Sequence, residues 1–312
     1  MATILQNYTI DYDQKIRHGI SSCIFKGSSI TGETVAIEEY LTAEKCTTEE
    51  RENLAMLKNI RDHNVTRIFK YGTCESRFYI VKEFCEESLD KYLARSQNGQ
   101  LEEEEIRKIG KQIGSGVKAL FRQGIHFNTL EMKNILMGEN GCIKISKPSK
   151  CDAGVLNFLE IYSPIYLAPE IRRNQLEDVT KDNQKAVMFS IGAILLHLAL
   201  GNSYPLKYPV PTSLNIKASA NKVPKHLQML IRNLLAKNSH DRIPLNDFCA
   251  QIRGLSKDDI KQSRKFLKQH VEGNHSASKK RNEVVKQLPN VSITLIFSNA
   301  NFIAHEHSNI YR

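Results

Sequence analysis

Apolar and polar positions follow two different rhythms along this chain. Up to about residue 84, β-branched and aromatic residues form short runs that glycine and polar residues separate. Such runs predict β-strands, and Gly32 offers the turn of a hairpin between the first two of them. Thr47, which acidic residues follow, predicts the start of one helix between the two strand pairs. The strand candidates are residues 24–27, 34–37, 67–71 and 77–83.

After about residue 86, apolar residues recur every three or four positions, which is the period of a helix that packs one face on a core. The helix candidates are residues 101–123, 186–200, 225–236 and a last helix near Pro244. Residues 186–200 are apolar nearly all round, as is typical of a helix at the centre of a lobe. Because the strands come first along the chain and the helices follow, we predict an α+β fold with a strand-rich lobe at 1–84 and a helical lobe at 85–254.

The composition is that of an ordinary globular protein, with 41% hydrophobic and 25% charged residues among 312. No apolar run approaches the roughly 18 residues of a membrane span, and the first residues lack a signal-peptide pattern. The seven cysteines include no CxxC pair, so we expect free buried thiols rather than zinc ligands or disulfides. These features predict a cytoplasmic protein with no membrane contact.

Eight short segments, taken in order, resemble the motifs of a protein kinase domain between about residues 8 and 254. They are IRHGISSCIFKG at 16–27, VAIE at 35–38, YIVKEFC at 79–85, GIHFNTLEMKNIL at 124–136, IKISKPSK at 143–150, APE at 168–170, FSIG at 189–192 and DRIP at 241–244. The chain is therefore identified as a member of the protein kinase superfamily. That resemblance implies a bilobal kinase-like fold with a small β-rich N-lobe and a helical C-lobe.

The same alignment departs from the family where phosphoryl transfer depends on single side chains. Glu38 takes the place of the lysine that holds the α- and β-phosphates. Thr129 replaces the catalytic-loop aspartate, and Lys147 replaces the metal-binding aspartate. Asn134, which resembles the asparagine for the second metal ion, remains. Because an ammonium cannot bind magnesium, the resemblance implies that no catalytic set is intact, that no metal is bound and that no cofactor is expected. Binding of ATP without magnesium is the alternative.

The remainder of the nucleotide pocket is altered as well. Three glycines usually lie where this chain has Arg17, Gly19 and Ser22. Lys82 resembles the gatekeeper residue. We expect Glu38 to have an ammonium, from Lys82 or Lys147, within about 4 Å, because an unpaired buried carboxylate costs several kcal/mol. A pocket that has simply decayed is the alternative interpretation. The degenerate pocket positions are Gly19, Ser22, Ala36, Glu38, Lys82, Glu83 and Cys85.

Other family positions are structural. Glu170 and Arg242 match a buried pair that joins the end of the activation segment to the last helices, so we expect a close ion pair between them. The usual helix partner of the missing lysine falls at Glu52 or Asn53, and the spacing leaves that register open.

The segment CEESL at 85–89 and the C-terminal region resemble the kinase–nuclease branch of the superfamily, which includes ribonuclease L and the unfolded-protein sensor kinase–endoribonuclease. On that interpretation residues 255–312 are a basic tail and possess only the start of a nuclease-type domain, with no nuclease residue to assign. Within it, residues 257–286 hold nine Lys or Arg against four acids. They predict either contact with RNA phosphates or a solvated helix face.

Three functions are compatible with these observations. The first is a catalytically inactive pseudokinase that acts by protein–protein contact or by allosteric regulation of an active kinase, a kinase–nuclease or a second copy of itself. The second is a weak or atypical ATP-dependent Ser/Thr protein kinase. The third is an RNA-associated remnant of a kinase–endoribonuclease.

Overall fold

The computed structural model describes residues 2–19, 22–46, 48–96, 99–146, 165–173, 179–202 and 223–254. The chain divides into two compact units, Met1–Leu245 and Asn246–Arg312. All elements given below belong to the first unit, apart from a last helix at Leu245–Gln251. That helix begins at Leu245, the final residue of the first unit. The finer boundaries expected from the sequence, after residues 84 and 254, stay predictions.

A six-stranded antiparallel sheet forms the first part of the chain, in the order β1-β2-β3-β4-β6-β5. The strands are β1 Ala2–Ile4, β2 Tyr8–His18, β3 Ser22–Ser29, β4 Thr34–Tyr40, β5 Ile68–Cys74 and β6 Arg77–Glu83. The predicted hairpin is the β3–β4 pair, and Gly32 turns it with a φ of 83° that few other residues adopt. One face of the sheet buries an apolar cluster that includes Ile10, Val35 and Val81.

The two edge strands of this sheet approach each other because the sheet curls. The backbone oxygen of Leu5, just after β1, accepts a hydrogen bond of 2.8 Å from Lys70 Nζ in β5. The Leu5 side chain also lies close to Gly72 in β5. A Cβ added to Gly72 would be only 3.3 Å from Leu5 Cδ2. The turn after β1 therefore covers part of the far edge of the sheet.

The predicted helix after the hairpin is α1, Thr48–Asn59, which packs against β5. Leu54 and Leu57 are buried, whereas Glu52 is exposed. This arrangement follows from the three-residue spacing of the apolar side chains, which places them on one face of the helix.

The later part of the unit is mostly helical, as predicted. Its helices are α2 Leu89–Arg95, α3 Glu103–Arg122, α4 Pro169–Arg173, α5 Val179–Leu200 and α6 Lys225–Leu234. A small antiparallel sheet joins β7 Glu87–Ser88, β8 Ile135–Met137 and β9 Ile143–Ile145. The α+β fold class predicted from the sequence is confirmed.

Helix α5 is the apolar centre of the helical part. Almost every residue from Ala186 to Leu200 is buried, and α5 packs against both α3 and α6. Gly192 permits the close approach to α6, because a Cβ there would lie 2.7 Å from Leu234 Cβ. Within the described ranges, no helix is both long enough and apolar enough to cross a membrane.

Candidate functional site

The centre of the site is a buried ion pair between neighbouring strands. Glu38 on β4 lies opposite Ile80 on β6, and Lys82 follows two residues later, so both side chains point to the same face of the sheet. Lys82 Nζ is 2.8 Å from Glu38 Oε2, and each side chain is 6% exposed. The expectation of an ammonium within about 4 Å of Glu38 is met by Lys82.

The second carboxylate oxygen of Glu38 is also occupied. Ser22 Oγ on β3 donates a hydrogen bond of 2.8 Å to Glu38 Oε1. Gly19 closes the turn between β2 and β3, since its backbone N–H donates to the Ser22 carbonyl at 2.8 Å. The degenerate glycine positions therefore help to hold Glu38 in place.

The other predicted pocket positions line the strand end beyond Lys82. Ala36 is buried opposite Lys82. Glu83 pairs with Lys144 Nζ at 2.9 Å. Burial, with a smaller contribution from the negative charge of Glu83, raises the pKa of the Cys85 thiol to about 12, so that thiol stays protonated and unreactive at neutral pH.

A pocket that is partly open to solvent lies between the Glu38–Lys82 pair and helix α1, with a volume of about 500 Å³ when that open space is included. Asn53 lines it, whereas Glu52 is exposed. Of the two residues that the alignment leaves open, Asn53 thus lies at the pocket, and Glu50 is the carboxylate of α1 that reaches it. Tyr40 Oη donates to Glu50 Oε1 at 3.4 Å, so this carboxylate has a neutral partner on β4.

The catalytic-loop position holds Thr129, which is completely buried. Among the residues with described positions, none forms a hydrogen bond with its Oγ1. A buried hydroxyl in this state loses its hydration without recovering a hydrogen bond. The hydroxyl of Thr129 cannot take a proton from a substrate hydroxyl at neutral pH, which a carboxylate at this position could do.

We expect the substitution Thr129→Val to stabilise the protein by about 1 kcal/mol, because it removes a buried polar atom that lacks a partner. That gain corresponds to a rise in melting temperature of roughly 2–4 °C. The matched control is Ser190→Ala. Ser190 Oγ donates to the Tyr166 carbonyl at 2.8 Å, so its removal should lower the melting temperature by a similar amount. A loss of stability in Thr129→Val would show that its hydroxyl is used.

One contact of the site was missed by sequence reasoning. Arg17 on β2 extends to the catalytic loop, where its Nη1 donates to the Lys133 carbonyl at 3.3 Å and to Asn134 Oδ1 at 3.2 Å. Asn134 is itself buried, and its backbone carbonyl accepts from the Ser146 N–H at 2.9 Å. The available signal was a long cationic side chain where the family has glycine.

Sequence reasoning also missed Glu131, a buried carboxylate in the same loop. It pairs with Lys133 Nζ at 2.8 Å and its side chain is only 2% exposed. Two carboxylates, Glu38 and Glu131, are thus buried near the cleft, and each has an ammonium partner.

The described residues do not fit a magnesium site. In these ranges no three His, Cys, Asp or Glu side chains are placed to hold a metal ion. Lys147, the third altered position, lies outside the described residues, so its expected proximity to Glu38 stays a prediction. Asn134, which resembles one of the family's metal ligands, has its side-chain oxygen bonded to the Arg17 guanidinium.

The structural pair expected from the sequence is present. Arg242 Nη1 lies 2.5 Å from Glu170 Oε1, and its Nη2 lies 2.7 Å from Glu170 Oε2. Arg242 is fully buried and also donates to the carbonyls of Ala236 and Lys185 at 2.8 and 3.0 Å. Its guanidinium lies over the ring of Phe189 on α5. These contacts tie α4 to α5 and to the segment after α6.

Comparison with known proteins finds relatives over most of this chain. A family model described as protein kinase domain matches residues 10–252. The human serine/threonine-protein kinase ULK1 is 26% identical over 267 residues, which cover 75% of this chain and 24% of the relative. The CBL-interacting serine/threonine-protein kinase 24 of Arabidopsis thaliana is 26% identical over 249 residues, which cover 75% of this chain and 53% of the relative. The chain therefore spans about a quarter of the first relative and about half of the second.

A solved structure has the same fold. The crystal structure of Rad53 1-466 in complex with AMP-PNP matches with a TM-score of 0.61 at 19% sequence identity, over 78% of this chain and 64% of that chain. The match shows the kinase-like arrangement of a β-rich lobe followed by a helical lobe, as the sequence predicts.

Proposed function

Because the chain belongs to the protein kinase family, whose domain model matches residues 10–252, we propose that it is a pseudokinase. In this proposal the domain transfers no phosphate and acts through contact with another protein. The observation that carries the proposal is the buried Glu38–Lys82 ion pair at the position where the family holds nucleotide phosphates.

The electrostatics of this pair oppose nucleotide binding. A phosphate oxygen placed about 4 Å from Glu38 alone would meet roughly 4 kcal/mol of repulsion per unit charge at an effective dielectric constant of about 20. Lys82, which is already paired with Glu38, offsets part of that repulsion. Lys82 cannot turn to the phosphate without leaving Glu38 as an uncompensated buried charge, which costs about 3–5 kcal/mol. The state in which Glu38 and Lys82 pair with each other is therefore more stable than a state in which Lys82 binds a nucleotide phosphate and Glu38 has no partner.

The chemistry of the catalytic loop supports the same proposal. Thr129 replaces the proton acceptor, and it is buried without a partner among the described residues. Loss of one such group typically lowers a rate on the order of 10²–10⁴-fold. Loss of the phosphate clamp and the base together makes phosphoryl transfer negligible beside that of an active kinase.

The domain keeps the contacts that stabilise its fold. The bidentate Glu170–Arg242 pair and its backbone acceptors have nothing to do with binding a nucleotide. A stable kinase-like surface without catalytic groups is suited to contact with a partner protein. In this proposal the partner is an active kinase, a kinase–nuclease or a second copy of the chain, and the meeting place is the cytoplasm.

The first test combines binding and activity. We expect saturating Mg–ATP to leave the melting temperature unchanged, whereas a ligand at about 100 times its dissociation constant would add about 2.7 kcal/mol, or roughly 5–10 °C for a domain of this size. We also expect no incorporation of phosphate from labelled ATP into the chain or into a generic Ser/Thr substrate. An active Ser/Thr kinase domain serves as the positive control in both assays.

The outcomes separate the competing functions. Phosphate transfer that disappears in Thr129→Val would identify an atypical Ser/Thr kinase and overturn the pseudokinase proposal. A thermal shift with ATP and EDTA, but none with Mg–ATP, would identify metal-free nucleotide binding by an inactive domain. The kinase–nuclease branch and RNA contact through residues 257–286 remain predictions, because those residues lie outside the described ranges. Salt-dependent retention of the full chain on RNA would test them.

A further inference from the structure

A single side chain connects the six-stranded sheet to the catalytic loop. Arg17 is near the end of β2, on the strand side, and its two acceptors belong to the catalytic loop more than a hundred residues away. Both hydrogen bonds come from Nη1, which has two N–H groups and so can serve both oxygens at once. Arg17 is half-buried, and its neighbour Lys15 on the same strand is exposed.

We infer that Arg17 and Asn134 form a latch that holds the cleft closed without nucleotide or metal. The term latch means here the two hydrogen bonds from Arg17 to Lys133 O and Asn134 Oδ1. The inference rests on the proposed function, since an active kinase would need this space for its substrate. It assigns to Arg17 the role of supplying positive charge to Asn134, whose family counterpart faces a magnesium ion.

The charges around the loop favour this arrangement. Glu131, a buried carboxylate of the loop, is already paired with Lys133. Arg17 meets a backbone carbonyl and a side-chain amide, both of which are neutral oxygens. Hydrogen bonds from a charged donor to a neutral acceptor are stronger than neutral ones, yet weaker than a buried ion pair. The latch can therefore open and close at equilibrium while the Glu38–Lys82 pair stays intact.

The latch acts on the strand pair that covers the cleft. Arg17 lies opposite Ile24, so holding Arg17 also holds β3 in register. Ser22, at the start of β3, donates the hydrogen bond to Glu38 Oε1. Fixing the end of β2 on the catalytic loop thus keeps Ser22 over the ion pair. Opening the latch releases the end of β2 from the catalytic loop.

Hydrogen–deuterium exchange of the full chain tests the latch. We expect Arg17→Ala to raise the exchange rate about tenfold at the amides of Gly19, Asn134 and Ser146, because losing a hydrogen bond to a charged group shifts a local opening equilibrium by that order. These amides report directly, since all three are bonded within the turn or the loop. Lys15→Ala is the matched control, and its exchange should equal that of the unmodified chain.

The second variant separates a latch from general loosening. Asn134→Ala should raise exchange at Gly19 by a smaller factor, because the bond from Arg17 to the Lys133 carbonyl remains. The double variant Arg17→Ala/Asn134→Ala should not exceed Arg17→Ala alone. Equal exchange in Arg17→Ala and Lys15→Ala, or additive effects in the double variant, would overturn the latch. The Mg–ATP thermal shift of the unmodified chain is independent of these readings. A failed latch without a shift leaves the pseudokinase proposal standing. Phosphate transfer from labelled ATP overturns that proposal whatever the exchange data show.

Discussion

Replacing Glu38 by lysine is expected to lower the melting temperature by roughly 10 °C and to create no affinity for Mg–ATP. The change restores the family residue, but it places two ammonium groups in a site where both side chains are 6% exposed. The cost of an uncompensated buried charge is about 3–5 kcal/mol. In the unmodified protein Ser22 Oγ donates a hydrogen bond to Glu38, and in the variant it would lose that acceptor.

Thermal unfolding with and without Mg–ATP measures both parts of this prediction. Thr34→Lys is the matched control, because Thr34 begins the same strand and is exposed, so its replacement should change the melting temperature by less than about 2 °C. If Glu38→Lys instead gains Mg–ATP affinity with an unchanged melting temperature, the ion pair is not what excludes nucleotide. The site would then be better described as a decayed pocket.

The second large effect is expected at Glu170. The substitution Glu170→Ala should cost about 3–5 kcal/mol, because it leaves the fully buried Arg242 guanidinium without its carboxylate. Remaining bonds to the Ala236 and Lys185 carbonyls do not neutralise that charge. Denaturant unfolding would show the loss as a lower midpoint with an unchanged slope.

A half-exposed pair provides the comparison for Glu170. Arg107 and Glu103 on α3 are 2.8 Å apart, with side chains 21% and 32% exposed. Solvent screening limits such pairs to about 1 kcal/mol or less, so Glu103→Ala should have a small effect. Equal losses in Glu103→Ala and Glu170→Ala would contradict the structural role assigned to Arg242.

Much of the fold was predictable because local patterns determined it. The β3–β4 hairpin follows from β-branched residues around Gly32, and α3 follows from apolar residues at helical spacing. Strand β1 and most of β2 were not predicted. The pairing of β2 with β3 shifts register twice between Asp11 and Arg17, and such bulges break the alternation of buried and exposed residues on which strand prediction depends.

The contacts of the site also include one that the sequence predicts and one that it does not. The Glu38–Lys82 contact was predictable, because the kinase alignment places both residues on neighbouring strands and a buried carboxylate needs a partner. The Arg17–Asn134 contact was not, since it joins residues 117 positions apart and depends on how closely the end of β2 approaches the loop. The spacing of residues along the sequence does not predict a contact of that kind.

The curl of the six-stranded sheet also bears on how the protein behaves at high concentration. An open edge strand presents unpaired N–H and C=O groups to which a strand of another molecule can add, and this is a common start of fibrillar aggregation. Here β1 is only three residues long and pairs with the first residues of β2. The turn that follows β1 is bonded to Lys70 on the opposite edge strand. A neighbouring molecule therefore finds one short edge and one that is partly covered, so self-association by strand addition is disfavoured at these edges.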